Sequence, residues 1–248
     1  MLLLGEFHFQ LTAGDFDVCD RIRPIAILDL FQEAASRHAN ENHIGYEDLI
    51  QKNIIWVLAA SHYVVDRPIP LSSEVIVRTW MHPNGYVETI RDFEIIGLHG
   101  ECYVRGTTKW CILDCRTMRI LPMKYVDVKG EYLDRYAMEK HLEKISIGEN
   151  MIIKKQEDYQ VKPSDLDHNQ HMNNTKYTEL LYNLIRLQKN EQITELRIDY
   201  LLQLFLDEWV HLTLYHSQEK DILMGEKNEK KAFMMQYKVE KNDSTNNQ

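Results

Sequence analysis

The feature that most constrains this sequence is an internal repeat at a fixed offset of 150 residues. The loop at 15–21, Asp-Phe-Asp-Val-Cys-Asp-Arg, aligns with 165–171, Asp-Leu-Asp-His-Asn-Gln-His. The same offset superposes two apolar helix faces without a gap: Leu30, Phe31, Ala34 and Ala35 fall on Leu180, Leu181, Leu184 and Ile185. A loop and a helix face that match in one register indicate duplication of a whole structural unit. The 248-residue chain is therefore predicted to hold two related units.

Hydrophobic periodicity predicts the same order of elements in both units. In the first unit a strand at 7–11 precedes a helix that opens near Pro24, a residue suited to the first helical position. β-Branched and aromatic runs separated by turn residues then predict strands at 54–65, 74–80, 86–96 and 101–113. In the second unit the predicted elements are a strand at 151–159, a helix from about Asn174, and strands at 193–200, 209–216, 221–224 and 232–239.

Each unit is thus β-α-β-β-β-β, which predicts the α+β class with a helix packed on an antiparallel sheet. A long central helix wrapped by a curved sheet is the hot-dog arrangement, so the sequence predicts a tandem (double) hot-dog. The predicted bounds are 1–126 for the N-terminal hot-dog, 127–148 for a charged linker, 149–240 for the C-terminal hot-dog and 241–248 for a polar tail.

Composition excludes several classes of protein. With 29 Lys and Arg against 38 Asp and Glu, the formal charge of -9 disfavours general nucleic-acid binding. No stretch approaches the roughly 20 apolar residues of a membrane span. The first residues lack the basic and apolar regions of a signal peptide, so we expect a cytoplasmic location.

The four cysteines, Cys19, Cys102, Cys111 and Cys115, are too few for a disulfide scaffold and are expected to be reduced thiols. Cys111 and Cys115 invite a zinc interpretation, since they are close in sequence. Structural zinc normally has four such ligands, and no His lies in phase with this pair. The sequence therefore predicts no metal.

The two copies of the repeated loop differ in their chemistry. The first copy has Cys19 and Arg21 where the second has Asn169 and His171. A His imidazole is a natural general base near neutral pH, Asn169 can orient water or donate to a substrate, and Asp167 can hold a neighbouring imidazole or amide. The loop runs into a helix N-terminus at Asn173 and Asn174, which either stabilises an oxyanion or is simply capped by these residues.

The run at 164–177, Ser-Asp-Leu-Asp-His-Asn-Gln-His-Met-Asn-Asn-Thr-Lys-Tyr, closely resembles the signature of the acyl-ACP thioesterases. These plant and bacterial enzymes release fatty acids from acyl carrier protein (ACP). Further landmarks of that family occur in its order at 32–35, 56–58, 77–80, 108–110 and 113–114, so the resemblance covers nearly the whole chain. It implies a tandem hot-dog whose N-terminal unit houses the acyl chain and whose C-terminal unit is catalytic.

The resemblance implies thioester hydrolysis in fatty acid biosynthesis, without a metal or redox cofactor, and assigns catalytic roles to Asp167, Asn169 and His171. A further family position is a Glu on the strand after the second helix, in a Glu-Tyr-Arg-Arg-Glu-Cys-like run. Here residues 199–204 read Asp-Tyr-Leu-Leu-Gln-Leu, so Gln203 replaces the Glu and Leu204 replaces the Cys. A neutral amide positions water but accepts no proton, so Gln203 is a doubtful acid or base.

The implied protein partner is acyl carrier protein, which is acidic, so a basic patch is expected near the site. Lys162, Lys176 and Arg186 are the candidates nearest in sequence, although such residues usually form a solvated face. An acyl-CoA thioesterase and a catalytically inactive acyl-thioester-binding protein remain alternatives on the same fold. Chain-length preference and homodimer formation are left open.

Overall fold

In the computed structural model the chain forms two compact units, Met1–Leu142 and Glu143–Gln248. The structure describes residues 3–138, 142, 144–218 and 220–241. The division between the units falls inside the predicted linker 127–148. Residues near both ends of this linker pack into hydrophobic clusters. Val128 lies in the core of the first unit, whereas Ile145 packs against Ile222 and Met234 of the second. The predicted tail lies outside the described residues, apart from Lys241.

The first unit contains an antiparallel sheet in the order β1-β3-β4-β5-β2 and one long helix. Its elements are β1 Leu4–Gln10, α1 Pro24–Glu41, α2 Tyr46–Ile50, β2 Ile54–Val65, β3 Glu74–Met81, β4 Thr89–Gly97, β5 Cys102–Asp114 and β6 Ile120–Leu121. The short α2, and β6 beside β5, are additions to the predicted order. Both are too short to produce a periodic signal.

The apolar face of α1 packs on the sheet as its spacing predicts. Pro24 is the first helical residue, and Ile27, Phe31 and Ala34 are buried. The Phe31 ring stacks on Phe93 of β4, with ring centroids 4.3 Å apart. A Cβ atom at Gly106 of β5 would lie 2.3 Å from that ring, so the glycine permits the close approach of helix and sheet.

The second unit repeats this design with the sheet order β8-β11-β10-β9-β7, again antiparallel. Its elements are β7 Ile152–Gln160, α3 Tyr177–Ile185, β8 Glu191–Tyr200, β9 Trp209–His216, β10 Asp221–Lys227 and β11 Lys230–Lys241. The predicted α+β class and tandem hot-dog fold are confirmed. The α3 helix begins at Tyr177, three residues after the predicted start, because residues 174–176 form a turn.

No helix in the described parts of the chain is both long enough and apolar enough to cross a membrane.

A buried polar pair joins the last turn of α1 to the sheet. Arg91 Nη1 donates to His38 Nδ1 at 2.8 Å and to Thr79 Oγ1 at 3.2 Å. Burial, together with the charge of Arg91, lowers the pKa of His38 from 6.5 to about 3. His38 is therefore neutral in the folded chain at every pH above that value.

This pair predicts a pH-dependent loss of stability. Between pH 6.5 and about 3 the unfolded chain binds a proton at His38 that the folded chain does not, so stability falls as the pH falls. From pH 7 to pH 5 we expect a loss of about 2 kcal/mol from this group. His38→Gln keeps an acceptor for Arg91 but does not titrate, so this variant should not show that loss of about 2 kcal/mol between pH 7 and pH 5. Denaturant unfolding of both proteins at the two pH values measures the difference, and equal losses would contradict the prediction.

Candidate active site

The repeated loop has the same backbone hydrogen bonds in both units. Each copy begins with a short 3-10 turn, Ala13–Asp15 and Pro163–Asp165. Across the loop, the amide of Asp17 donates to the Arg21 carbonyl at 2.9 Å, and the amide of Asp167 donates to the His171 carbonyl at 2.9 Å. The duplication predicted from the sequence is therefore confirmed at the level of individual hydrogen bonds.

The aspartate at the third position organises each copy. One carboxylate oxygen of Asp17 accepts the amide of Cys19 at 2.8 Å, and one of Asp167 accepts the amide of Asn169 at 2.8 Å. The residue before Arg21 or His171 has a positive φ in both copies, which reverses the chain there. The turn brings the side chains of Arg21 in the first copy, and of Asn169 and His171 in the second, to the aspartate.

The two copies differ in the side chains that contact the second carboxylate oxygen of the aspartate. In the first copy two nitrogens of Arg21 pair with Asp17, each 2.7 Å from Oδ2. Both side chains are at least 90% buried. In the second copy the His171 Nδ1 lies 3.5 Å from the Asp167 Oδ2, and each side chain is a little under one-fifth exposed. The first copy is thus closed by a tight ion pair, and the second keeps its polar groups accessible.

The surroundings of His171 determine which ring nitrogen carries the proton. The two groups near Nδ1 are the Met172 carbonyl oxygen at 3.4 Å and the Asp167 carboxylate at 3.5 Å. Both are acceptors, so we assign the proton of the neutral imidazole to Nδ1. The lone pair is then on Nε2, which gives His171 the form that a general base requires.

Asn169 is exposed, and its side chain is only weakly held. Its Nδ2 lies 3.5 Å from the Asp167 Oδ2, at the limit of a hydrogen bond. Its backbone is fixed by the other oxygen of the same carboxylate. The Asn169 amide can therefore turn towards a ligand without losing a strong interaction. Asp167, Asn169 and His171 are brought together as the sequence predicts.

Asn173 and Asn174 have structural partners in the turn before α3. The Asn173 Oδ1 accepts the amide of Thr175 at 3.1 Å, and its carbonyl accepts the amide of Lys176 at 2.9 Å. The Asn173 amide donates to Asp165, while the Asn174 carbonyl accepts the Tyr200 hydroxyl. The Asn173 side chain therefore stabilises the turn before α3; the helix itself has Lys176 at its N-cap, without a side-chain capping bond, so neither asparagine caps it. Because three amides of this turn are already used, Asn169 is the better-placed donor for an oxyanion.

The structure corrects the expectation that Gln203 lies on a strand. Strand β8 ends at Tyr200, because the next two amides, of Leu201 and Leu202, both donate to the Ala232 carbonyl and end the regular ladder. Gln203 lies in the following segment, 203–208, which runs beside the repeated loop. There the Met172 amide donates to the Leu204 carbonyl at 2.7 Å, and His171 forms a β-bridge with Phe205.

Tyr177 is a site residue that sequence reasoning identified only as part of an apolar helix face. Its ring packs edge-to-face against Tyr200 and Phe233. Burial is the main reason that the pKa of its hydroxyl is raised well above the ordinary value. The negative charges of Asp167 and Glu208 raise this pKa further, whereas a hydrogen bond from the Leu204 backbone lowers it. The hydroxyl therefore contacts the backbone of segment 203–208 at Leu204. Only a three-dimensional contact reveals this, since an aromatic residue at that spacing is typical of a core.

The candidate basic residues are not gathered into one patch by any observed contact. Lys176 is paired with Glu179 at 3.0 Å, and the Lys162 ammonium lies over the Tyr159 ring at 5.3 Å. Arg186 follows the end of α3 and is exposed. Among the described residues there is no group of three or more His, Cys, Asp or Glu side chains that could hold a metal ion.

Two family models together match almost the whole chain. The acyl-ACP thioesterase N-terminal domain matches residues 6–136, and the acyl-ACP thioesterase C-terminal domain matches residues 148–248. Among curated proteins, an oleoyl-acyl carrier protein thioesterase of Coriandrum sativum is 29% identical over 170 residues, or 61% of this chain and 45% of that protein. A dodecanoyl-[acyl-carrier-protein] hydrolase of Umbellularia californica is 27% identical over 176 residues, or 65% of this chain and 45% of that protein. The chain spans about half the length of the curated relatives it matches.

Solved structures share the fold over nearly the full chain. An acyl-ACP thioesterase from Bacteroides thetaiotaomicron has a TM-score of 0.83 at 19% identity, covering 96% of this chain and 98% of its own. A 12:0-ACP thioesterase from Umbellularia californica has a TM-score of 0.81 at 18% identity with the same coverage. At this identity the similarity establishes the fold.

The closed first copy predicts a stability cost on mutation. Arg21→Ala leaves the buried Asp17 carboxylate with backbone donors but without its counterion, so we expect a loss of about 3 kcal/mol in the free energy of unfolding. Arg78→Ala is the control, because Arg78 pairs with Glu6 on the exposed sheet surface and should contribute less than about 1 kcal/mol. Denaturant unfolding of both variants tests this. Equal losses would show that burial of the Arg21 pair has no special effect.

Proposed function

Since this chain belongs to the acyl-ACP thioesterase family, we propose that it hydrolyses the thioester of fatty acyl-ACP and releases a free fatty acid and ACP. The observation that carries the proposal is the contrast between the two copies of the repeated loop. In the first copy the aspartate is neutralised by Arg21, whereas in the second the matching carboxylate lies beside His171 and Asn169. Only the second copy presents an accessible base and an amide donor.

In the proposed reaction His171 Nε2 accepts a proton from water as the water oxygen attacks the thioester carbonyl carbon. The imidazolium that forms has Asp167 beside its Nδ1, and this negative charge stabilises it. The Asn169 side chain donates to the carbonyl oxygen as it becomes an oxyanion. When the tetrahedral intermediate collapses, the carbon–sulfur bond breaks. Thiols have a pKa near about 8.5, so the leaving sulfur needs little help from an acid and takes up the proton from His171.

The glutamine at position 203, where the family has a glutamate, supports one competing function: a protein that binds acyl thioesters without hydrolysing them. An amide at this position cannot accept a proton, so it could hold a water or a carbonyl without activating it. The binder hypothesis predicts that the protein binds acyl-ACP but releases no free thiol. An acyl-CoA thioesterase is the other enzymatic option, because acyl-CoA has the same pantetheine arm; parallel thiol-release assays with both substrates separate the two. We also propose a cytoplasmic location, on the sequence expectation alone.

We predict that His171→Ala lowers the rate of thiol release from acyl-ACP at least about a hundredfold, because it removes the proton acceptor. His168→Ala is a matched control, since it removes an exposed imidazole from the same loop. It should retain most of the activity. Circular dichroism establishes that both variants are folded. A folded His171→Ala enzyme with normal turnover would remove His171 from the mechanism.

The substitutions at Gln203 distinguish an enzyme from a binder. If Gln203 only positions water, Gln203→Ala should lower kcat moderately, by about tenfold, because one hydrogen bond is lost and no base is removed. Gln203→Glu should keep or raise kcat, since it supplies a carboxylate in nearly the same volume. For a binder the wild type would be inactive with every acyl-ACP, and Gln203→Glu would be the only variant to gain turnover. An active wild type inactivated by Gln203→Glu would contradict both accounts.

A further inference from the structure

Lys227, the last residue of β10, makes several contacts with the segment that runs beside His171. Its ammonium donates to the Gln203 carbonyl at 2.9 Å and to the two carboxylate oxygens of Glu208 at 3.0 and 2.8 Å. It also lies over the Phe205 ring, 5.4 Å from the centroid. The ammonium therefore joins a backbone carbonyl and a carboxylate of the same segment, and its charge lies against an aromatic ring of that segment.

Glu208 also accepts a hydrogen bond from the backbone of the same segment. The oxygen that accepts the shorter bond from Lys227 also accepts the Phe205 amide at 2.8 Å. Lys227 and Glu208 therefore hold residues 203 and 205, which flank Leu204. The Leu204 carbonyl accepts the Met172 amide, next to His171 in the chain. The two fixed positions thus lie on either side of the Leu204 carbonyl, which accepts a backbone hydrogen bond from the end of the repeated loop.

We propose that Lys227 is a positioning residue that acts through Glu208 to hold segment 203–208 in register with the His171 loop. These contacts are needed because segment 203–208 lies beyond the end of β8. It therefore lacks the regular backbone hydrogen bonds that fix a strand in a sheet. Fixing the Gln203 carbonyl also fixes the peptide plane from which the Gln203 side chain projects. The link to catalysis rests on the proposed thioesterase function; the link to loop geometry does not.

Two other roles for this lysine fit the structure less well. As a docking charge for an acidic partner, Lys227 would need to reach solvent, but its side chain is only 16% exposed and its charge is compensated by Glu208. As a general acid it would need to face the reacting groups, whereas its contacts are the Gln203 carbonyl, the Glu208 carboxylate and the Phe205 ring. The contacts therefore point to a geometric role.

The test compares Lys227→Met with Lys155→Met. Lys155 is a matched control in the same unit: it donates to the Leu184 carbonyl at 3.4 Å and pairs with Glu157 at 3.1 Å, with no observed contact to segment 203–208. We expect Lys227→Met to lower kcat on acyl-ACP by about tenfold to a hundredfold through misplacement of the site. KM should change less than about twofold, because a positioning residue makes no contact of its own with the substrate. Lys227→Arg should restore most of the loss, since a guanidinium can donate to the same acceptors.

Amide hydrogen exchange supplies a readout that does not depend on activity. In Lys227→Met the Met172 amide should exchange faster than in wild type, because the segment that accepts its hydrogen bond is no longer held. In Lys155→Met it should not change. If wild type hydrolyses no acyl-ACP, the proposed function fails, and Met172 exchange still decides whether Lys227 holds the loop.

Three results would overturn the proposal. One is unchanged Met172 exchange in Lys227→Met; another is faster exchange with unchanged kcat in an active enzyme. A third is an equal fall of kcat in Lys155→Met, which would indicate general destabilisation. If Lys227→Met does not fold, Glu208→Gln takes its place: it removes the ion pair but keeps one acceptor, so the same changes should appear at smaller size.

Discussion

The hydrogen bond from a backbone amide to the aspartate two residues earlier is the interaction on which the candidate site depends. It occurs at Asp167 and Asn169, and again at Asp17 and Cys19, with the same length of 2.8 Å. The bond forms a tight turn that needs no particular side chain at the following positions. Because the turn is fixed by the aspartate and the backbone, residues 19 and 21 could diverge from 169 and 171 without loss of the loop. One scaffold therefore carries a buried ion pair in one unit and a partly exposed histidine beside a carboxylate in the other.

Much of the fold could be predicted from the sequence, because its elements are long and strongly periodic. The α1 helix starts at the predicted Pro24, and β2 and β9 have the predicted bounds. The fixed offset added what periodicity alone does not provide, namely that the two units share a topology. The end of β8 at Tyr200 was also predicted, whereas the start of α3 was harder to place. Hydrogen bonds to Asn173 form a turn before that helix, and such a turn is not visible in a hydrophobic pattern.

The site could be predicted only as far as it is local in sequence. Asp167, Asn169 and His171 lie within five residues, so a loop motif was enough to bring them together. Tyr177, Glu208 and Lys227 come to the same place from a helix, a turn and the end of a strand. Their patterns are those of ordinary core or surface residues. Sequence spacing cannot show that a lysine on β10 reaches the carbonyl of Gln203, because that contact depends on the pairing of strands distant in the chain.

The charges around His171 fit the chemistry that a thioesterase needs. Lys227 and Glu208 neutralise one another within segment 203–208, so Asp167 remains as the carboxylate beside the imidazole. One nearby negative charge favours the imidazolium that forms when water is deprotonated. The first unit has the same carboxylate but cancels it with Arg21, which favours stability over reactivity. In the proposed reaction the proton that leaves water is therefore carried by His171, since the amide at position 203 accepts none.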